Sequence, residues 1–216
     1  MNLDKDFKSL QESEEQYGSC AQSELMQSLD ASASQLTAED VEYREKMEQC
    51  RIMKDKYYAP KEFIFKVMGI PTISIGDIHL IQAQAKQGKS TLVTILVAVC
   101  RCGQLGPVEY ALDHPSKVIV FDTEQFEGDS HSQLMMMHEL GEDDNGTEII
   151  MFNLRKLGFA ERKEFIKQAI MRERPTFVII DGIRDLIPDI NDPVGCPMLV
   201  QELMQFASEV DCAILG

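Results

Sequence analysis

Basic residues are scarce in this chain. Lys and Arg number 21 against 36 Asp and Glu, a net charge of −15 at neutral pH. The deficit is shared: residues 1–58 carry 13 acidic and 7 basic side chains, net −6, and residues 59–216 carry 23 and 14, net −9. Neither part is a basic nucleic-acid surface, so any DNA contact has to be local, through a loop or an oligomer channel. Paired metal-type cysteines are missing as well. The six cysteines, at 20, 50, 100, 102, 196 and 212, include no C-x-x-C pair, and no His stands at zinc-ligand distance from a pair. Cys100 and Cys102 flank Arg101, too close for an ordinary disulfide. Reduced, mostly buried thiols are expected, which points to the cytoplasm. The opening residues Met1, Asn2, Leu3 and Asp4 lack the apolar core of a signal peptide. The longest apolar run, near residues 92–100, is too short to span a bilayer. Internal repeats and low-complexity tracts are absent. What remains is an acidic protein of 216 residues with an ordinary apolar content of 44%, enough for one good core and an appendage.

Residues 1–35 are rich in Ser, Gln and Glu and read as disordered or weakly helical. Thr37 is placed to cap a helix, with Asp40 three residues on. A modest apolar stripe of Val41, Met47 and Ile52 carries that helix to about Tyr57, and Pro60 ends it. Two readings of this segment stay open: an interaction or oligomerisation arm, and a solvated lead-in helix. Residues 1–58 are thus an acidic, partly helical arm, and residues 59–216 are the main domain.

From Glu62 onward the pattern changes. Phe63, Phe65, Val67, Ile70, Ile73 and Ile75 fit short extended pieces around Pro71. Residues 78–82 fit a buried strand and residues 92–100 a buried helix. Gly103, Gly106 and Pro107 mark a breaker region. Residues 118–122 form an apolar strand ending in an acid, residues 131–140 a helix, and 148–153 a third strand. Residues 160–174 form an amphipathic helix with Phe165, Ile166, Ala169 and Ile170 on one side. Residues 177–181 are a fourth strand, 198–210 a helix, and 212–215 the start of a fifth strand. Strands apolar on both faces that alternate with helices predict a parallel α/β sheet covered on both sides. Ligands of such sheets bind beyond the carboxyl ends of the strands.

Between that first strand and helix the chain reads Ala83, Gln84, Ala85, Lys86, Gln87, Gly88, Lys89, Ser90, Thr91. This is a phosphate-binding loop of the G-x-x-x-x-G-K-[ST] type with Ala83 in place of the first Gly. A strand, a tight loop and a helix N-terminus aim backbone N–H groups at a phosphate. Gly88 admits close backbone approach, and Ala83 requires a negative φ at the loop entry. In such a loop Lys89 can reach the β- and γ-phosphates, and the Ser90 hydroxyl can ligate Mg²⁺. Lys86 is a second cation, either on phosphate or solvated. Asp181 ends its strand where a carboxylate can hold the Mg²⁺ water shell. Glu124, after Phe121, Asp122 and Thr123, is either a general base for water or a solvated strand-end acid; the residues alone do not choose. His131 and His138, seven apart, share a helix face without metal-ligand spacing. Met135, Met136 and Met137 fit core and rim packing. Asp189 and Asp192 belong to an acidic loop next to the nucleotide edge.

The order loop, strand with Asp122-Thr123-Glu124, strand with Ile180-Asp181 resembles the RecA-like P-loop ATPase fold. Ile78-His79-Leu80-Ile81, Phe121-Asp122-Thr123-Glu124-Gln125, and Ile180-Asp181-Gly182-Ile183-Arg184-Asp185-Leu186 followed by Asp189-Ile190-Asn191-Asp192-Pro193 are similar to the RepA-like, AAA-type helicase ATPases. Those are hexameric replicative helicases of plasmids and mobile elements. The resemblance spans about residues 59–216. It implies ATP and Mg²⁺ as cofactors, hydrolysis with Glu124 on the water, a homo-oligomeric ring, and single-stranded DNA as a partner. The alternative is a nucleotide-binding regulatory or assembly protein that does not unwind DNA. Relatives continue past the fifth strand into a segment with a DNA-facing loop and a cation that reaches the neighbouring subunit. With the chain ending at Gly216, the ATPase domain is expected to be incomplete at that end. Slow hydrolysis without DNA stimulation is expected, together with self-association through an open apolar edge at Ala213, Ile214 and Leu215.

Overall fold

The computed structural model describes residues 38–84, 87–142, 145–188 and 194–216. The chain divides into two units, Met1–Ala59 and Pro60–Gly216.

In the first unit, helix α1 spans Ala38–Cys50. Glu39 and Asp40 in its first turn complement the helix dipole. Glu42 and Lys46 form an exposed i,i+4 ion pair at 2.6 Å, which stabilises by a few tenths of a kcal/mol at most. Val41, Met47 and Ile52, the expected stripe, are all exposed. The helix stops at Cys50 rather than near Tyr57. The backbone N–H of Met53 donates to the Tyr58 hydroxyl at 2.9 Å, and Lys56 N–H closes a turn on the Met53 carbonyl. No buried face rewards extending the helix, so the local turn wins. The predicted cap Thr37 and the segment 1–35 lie outside the described residues.

The second unit is mixed α/β. Its main sheet has five strands in the order β3-β9-β8-β6-β7, all parallel: β3 (Ile78–His79), β6 (Lys117–Asp122), β7 (Glu148–Asn153), β8 (Phe177–Asp181) and β9 (Ala213–Leu215). The side chains alternate between two cores. Val118, Val120, Phe177, Ile179 and Ala213 face one, and Ile119, Phe121, Val178, Ile180 and Ile214 face the other. The first core is filled by helix α2 (Lys89–Cys102) through Val93, Leu96 and Val97 and by α3 (Glu127–Leu140) through Met137. The second is filled by α4 (Phe159–Glu173) through Ile166 and Ile170 and by α5 (Gly195–Val210) through Leu199, Leu203 and Ala207. Burial on both faces explains why these strands read as unbroken apolar runs. The methionine triplet of α3 divides as expected, with Met137 buried and Met135 and Met136 on the rim.

A second, antiparallel sheet of four strands, β2-β1-β5-β4, was not anticipated as a separate layer. It comprises β1 (Phe63–Val67), β2 (Ile70–Ser74), β4 (Gln104–Leu105) and β5 (Val108–Tyr110). Met68 and Gly69, both at positive φ, turn β1 into β2. The breaker residues Gly106 and Pro107 turn β4 into β5. Phe65 packs edge-on against Phe177 at 5.5 Å, joining this layer to the first core.

The position of β9 corrects one expectation. Ala213, Ile214 and Leu215 are buried between β3 and β8, paired on both sides. The last strand in sequence inserts inside the sheet, so it presents no open edge. The sheet's edges are β3 and β7.

Candidate functional site

A cleft of about 850 Å³ opens at the carboxyl ends of the parallel strands. Leu80, Ile81 and Gln82 after β3, Asp122 at the end of β6 and Glu124 beyond it, Asp181 and Gly182 at the end of β8, and Gly216 after β9 line it. Four strands deliver residues to one place because parallel strands all end on the same side.

The loop after β3 leads directly into α2. Gly88 sits at φ +84°, a left-handed conformation open to glycine, and precedes the first helical residue, Lys89. No side chain caps this helix start, and its first residues, Lys89, Ser90 and Thr91, line the cleft. Ala83 is not among the residues of positive φ, as its Cβ demands. Gln84 and Gln87 brace the loop, the Gln84 N–H donating to Gln87 Oε1 at 3.3 Å. Ala83, Gln84, Gly88, Lys89, Ser90 and Thr91 line the cleft. Gln87 is exposed beside it, and Ala85 and Lys86 lie outside the described residues.

The Lys89 ammonium lies 2.7 Å from Asp181 Oδ1, and Ser90 Oγ donates to Asp181 Oδ2 at 3.3 Å. One strand, β9, separates β3 from β8, and the two side chains on α2 span that gap. Asp181 is buried and Lys89 is half-buried. The three residues singled out for phosphate and metal thus meet at one point.

Glu124 is held differently. The neighbouring Asp122 is buried, and its Oδ1 accepts the backbone N–H groups of Glu124 and Gln125, both at 3.0 Å. Its Oδ2 accepts the Ser130 hydroxyl at 2.6 Å. Asp122 is therefore a structural anchor, and the exposed Glu124 is the acid of this strand end that remains open to the cleft.

Further residues shape the site without having been assigned a role from sequence. Thr123 Oγ1, buried, reaches the carbonyls of Asp181 and Gly182 at 3.1 and 3.2 Å and Asp185 Oδ2 at 2.8 Å. Arg162 of α4 pairs with Asp185 at 3.6 Å. Gly182 takes φ +105°, and a Cβ there would collide with Thr123 Oγ1 and lie 3.2 Å from Glu124 Cγ. Glycine after Asp181 lets the two acids share the cleft. Gln133 of α3 donates to the Ser90 carbonyl at 3.2 Å and to Thr94 Oγ1 at 3.3 Å, and accepts from Gln125 at 3.0 Å. It ties the start of α2 to the Glu124 loop. In sequence, Gly182 stood out only as part of the run Ile180–Leu186, and a mid-helix Gln carries no signal.

Other sequence candidates stay outside. His138 contacts Arg101 at the far end of α3, and His131 is exposed. Asp189 and Asp192 lie outside the described residues. Among the described residues no group of three or more His, Cys, Asp or Glu side chains forms a metal site by itself. The described cysteines 50, 100, 102, 196 and 212 form no disulfide, and burial pushes the Cys212 thiol up to about 12. No described helix is long and apolar enough to cross a membrane. No protein-family model matches the chain, and no curated protein matches it significantly.

Proposed function

We propose that this chain is a RecA-like P-loop ATPase module that binds Mg²⁺-ATP, of the kind that drives RepA-like replicative helicases. The observation that carries the proposal is the meeting of Lys89 and Ser90, at an uncapped helix start, with the buried Asp181. Each residue type has a task there. The helix start and Lys89 take the β- and γ-phosphates. Ser90 and Asp181 are hard oxygen donors facing each other across 3.3 Å, which suits Mg²⁺, an ion that keeps several waters and takes one or two protein ligands plus substrate phosphates. When bound, Mg²⁺ offsets the charge that develops on the phosphates.

Glu124 accepts a proton from the attacking water, and Asp122 fixes its height above the sheet by holding two successive backbone N–H groups. Gln133 and Gln125 hold that loop against the start of α2, so phosphate and water are positioned by one network.

A second reading is favoured by the net charge of −15, which repels nucleic acid: a nucleotide-binding regulatory or assembly protein that does not unwind DNA. ATP hydrolysis measured with and without single-stranded DNA separates the two. Turnover that rises several-fold with DNA supports the helicase reading. Nucleotide binding with DNA-independent turnover supports the second. A chain that neither binds nor hydrolyses ATP contradicts both.

A further inference from the structure

We infer that Arg162 is a positioning residue for Glu124, acting through Asp185 and Thr123. The inference rests on the reading of Glu124 as acceptor of the water proton. Arg162 lies near the start of α4, where a cation gains nothing from the helix dipole. Its side chain is only 14% exposed, and its guanidinium ties together the segments that follow two strands. Nε donates to the Leu154 carbonyl and Nη2 to the Arg155 carbonyl, both at 3.1 Å and both just after β7. Nη1 donates to the Asp185 carbonyl at 3.4 Å and lies 3.6 Å from the Asp185 carboxylate, in the turn after β8. A planar fork of donors holds these groups at once, which the point charge of a lysine does not.

Asp185 extends this hold to the end of β6. The Thr123 hydroxyl carries one proton and has three acceptors in reach: Asp185 Oδ2 at 2.8 Å and the carbonyls of Asp181 and Gly182 at 3.1 and 3.2 Å. The carboxylate is the nearest and is charged, so it takes the proton. The Thr123 N–H donates to the Asp181 carbonyl at 3.1 Å. Thr123 is thus gripped from two sides, by the end of β8 and by the carboxylate that Arg162 holds. Glu124 follows directly, and its Cγ lies 3.2 Å from where a Cβ on Gly182 would stand. Without Arg162, Asp185 loses its anchor, the Thr123 hydroxyl turns back to the β8 carbonyls, and Glu124 moves with it. The Lys89 and Ser90 side chains take no part in these bonds, so the loss falls on rate and not on nucleotide affinity.

The experiment measures single-turnover phosphate release, Mg²⁺-ATP affinity and, in the ligand-free chain, amide hydrogen exchange. It compares the parent with Arg162→Gln, Thr123→Val, Thr123→Ser, the double variant Arg162→Gln/Thr123→Val, and Arg172→Gln, an exposed cation later in α4. Arg162→Gln and Thr123→Val each slow phosphate release about 10–100-fold, the scale of a misplaced catalytic group, with affinity within about twofold of the parent. The double variant is no slower than either single one, because both break the same chain of contacts. Thr123→Ser keeps the hydroxyl and recovers most of the rate. The Thr123 and Glu124 amides exchange faster in Arg162→Gln than in the parent. Arg172→Gln behaves as the parent. A merely structural arginine lowers the unfolding midpoint without splitting rate from affinity. Arg162→Gln with the parent's rate, an affinity loss as large as the rate loss, additive effects in the double variant, or unchanged exchange at Thr123 and Glu124 overturns the inference and leaves nucleotide binding standing. A parent that binds Mg²⁺-ATP but releases no phosphate removes the role of Glu124 and this inference with it, and a parent that does not bind removes the proposed function as well. Should Arg162→Gln fail to fold, the two Thr123 variants decide, and equal rates in Thr123→Val and Thr123→Ser overturn the inference.

Discussion

The Lys89 ammonium lies 2.7 Å from Asp181 Oδ1 although the two residues are 92 positions apart in sequence, and β9 stands between β3, whose loop leads to Lys89, and β8, which ends at Asp181. The pair closes the path from the loop at the start of α2 to the end of β8. It places a cation, a hydroxyl and a carboxylate around one point, with Glu124 on the adjacent strand end.

Glu124→Gln keeps the shape of the side chain and removes the proton acceptor. Affinity for Mg²⁺-ATP is expected to change little, and hydrolysis to fall about 10²–10⁴-fold. Parallel measurement of nucleotide affinity and phosphate release checks this. Unchanged phosphate release reduces Glu124 to a solvated acid.

Gly182→Ala forces a side chain into φ +105° and against Thr123 Oγ1, which is fixed by its bonds to β8 and Asp185. A loss of about 2–4 kcal/mol is expected. Gly158→Ala, at φ −71° with its nearest contact at an ordinary 3.5 Å, is expected to stay within about 0.5 kcal/mol. Urea unfolding of both variants provides the comparison, and equal losses would contradict the close approach of β6 and β8.

The parallel sheet could be anticipated because β6 and β8 are buried strands whose apolar runs end in an acid, β7 is a half-buried run of the same kind, and α4 between β7 and β8 is long enough to show its period. Lys89, Ser90 and Asp181 stood out because loop chemistry needs those residue types at fixed spacing. The antiparallel layer did not, since β4 and β5 have two and three residues and owe their form to pairing with β1. Nor did the interior place of β9, because order along the chain does not dictate order across a sheet. The roles of Thr123 and Gln133 arise from partners 62 and 43 residues away, beyond any local pattern.

Hydrogen bonds from the Lys61 ammonium and the Ser74 hydroxyl hold the Asp77 carboxyl below its ordinary value of 3.8. A depressed folded-state value contributes stability that is present above the unfolded value and is lost as pH falls through the folded one. Asp77→Asn is therefore expected to be less stable than the parent at pH 7, by about 1 kcal/mol or less given partial exposure. The two unfolding curves should converge as pH falls below 3.8. A gap that persists in acid would place the effect elsewhere.

The central claim, that the loop at the start of α2 holds a nucleotide phosphate, is tested most directly by thermal unfolding with and without Mg²⁺-ATP in the parent and in Lys89→Ala. Ligand at a hundredfold its dissociation constant adds about 2.7 kcal/mol, a rise of about 5–10 °C for a chain of this size. The parent is expected to show that rise. Lys89→Ala, each shift taken from the variant's own ligand-free midpoint, is expected to lose most of it. An equal rise in both proteins, or none in the parent, would contradict the claim.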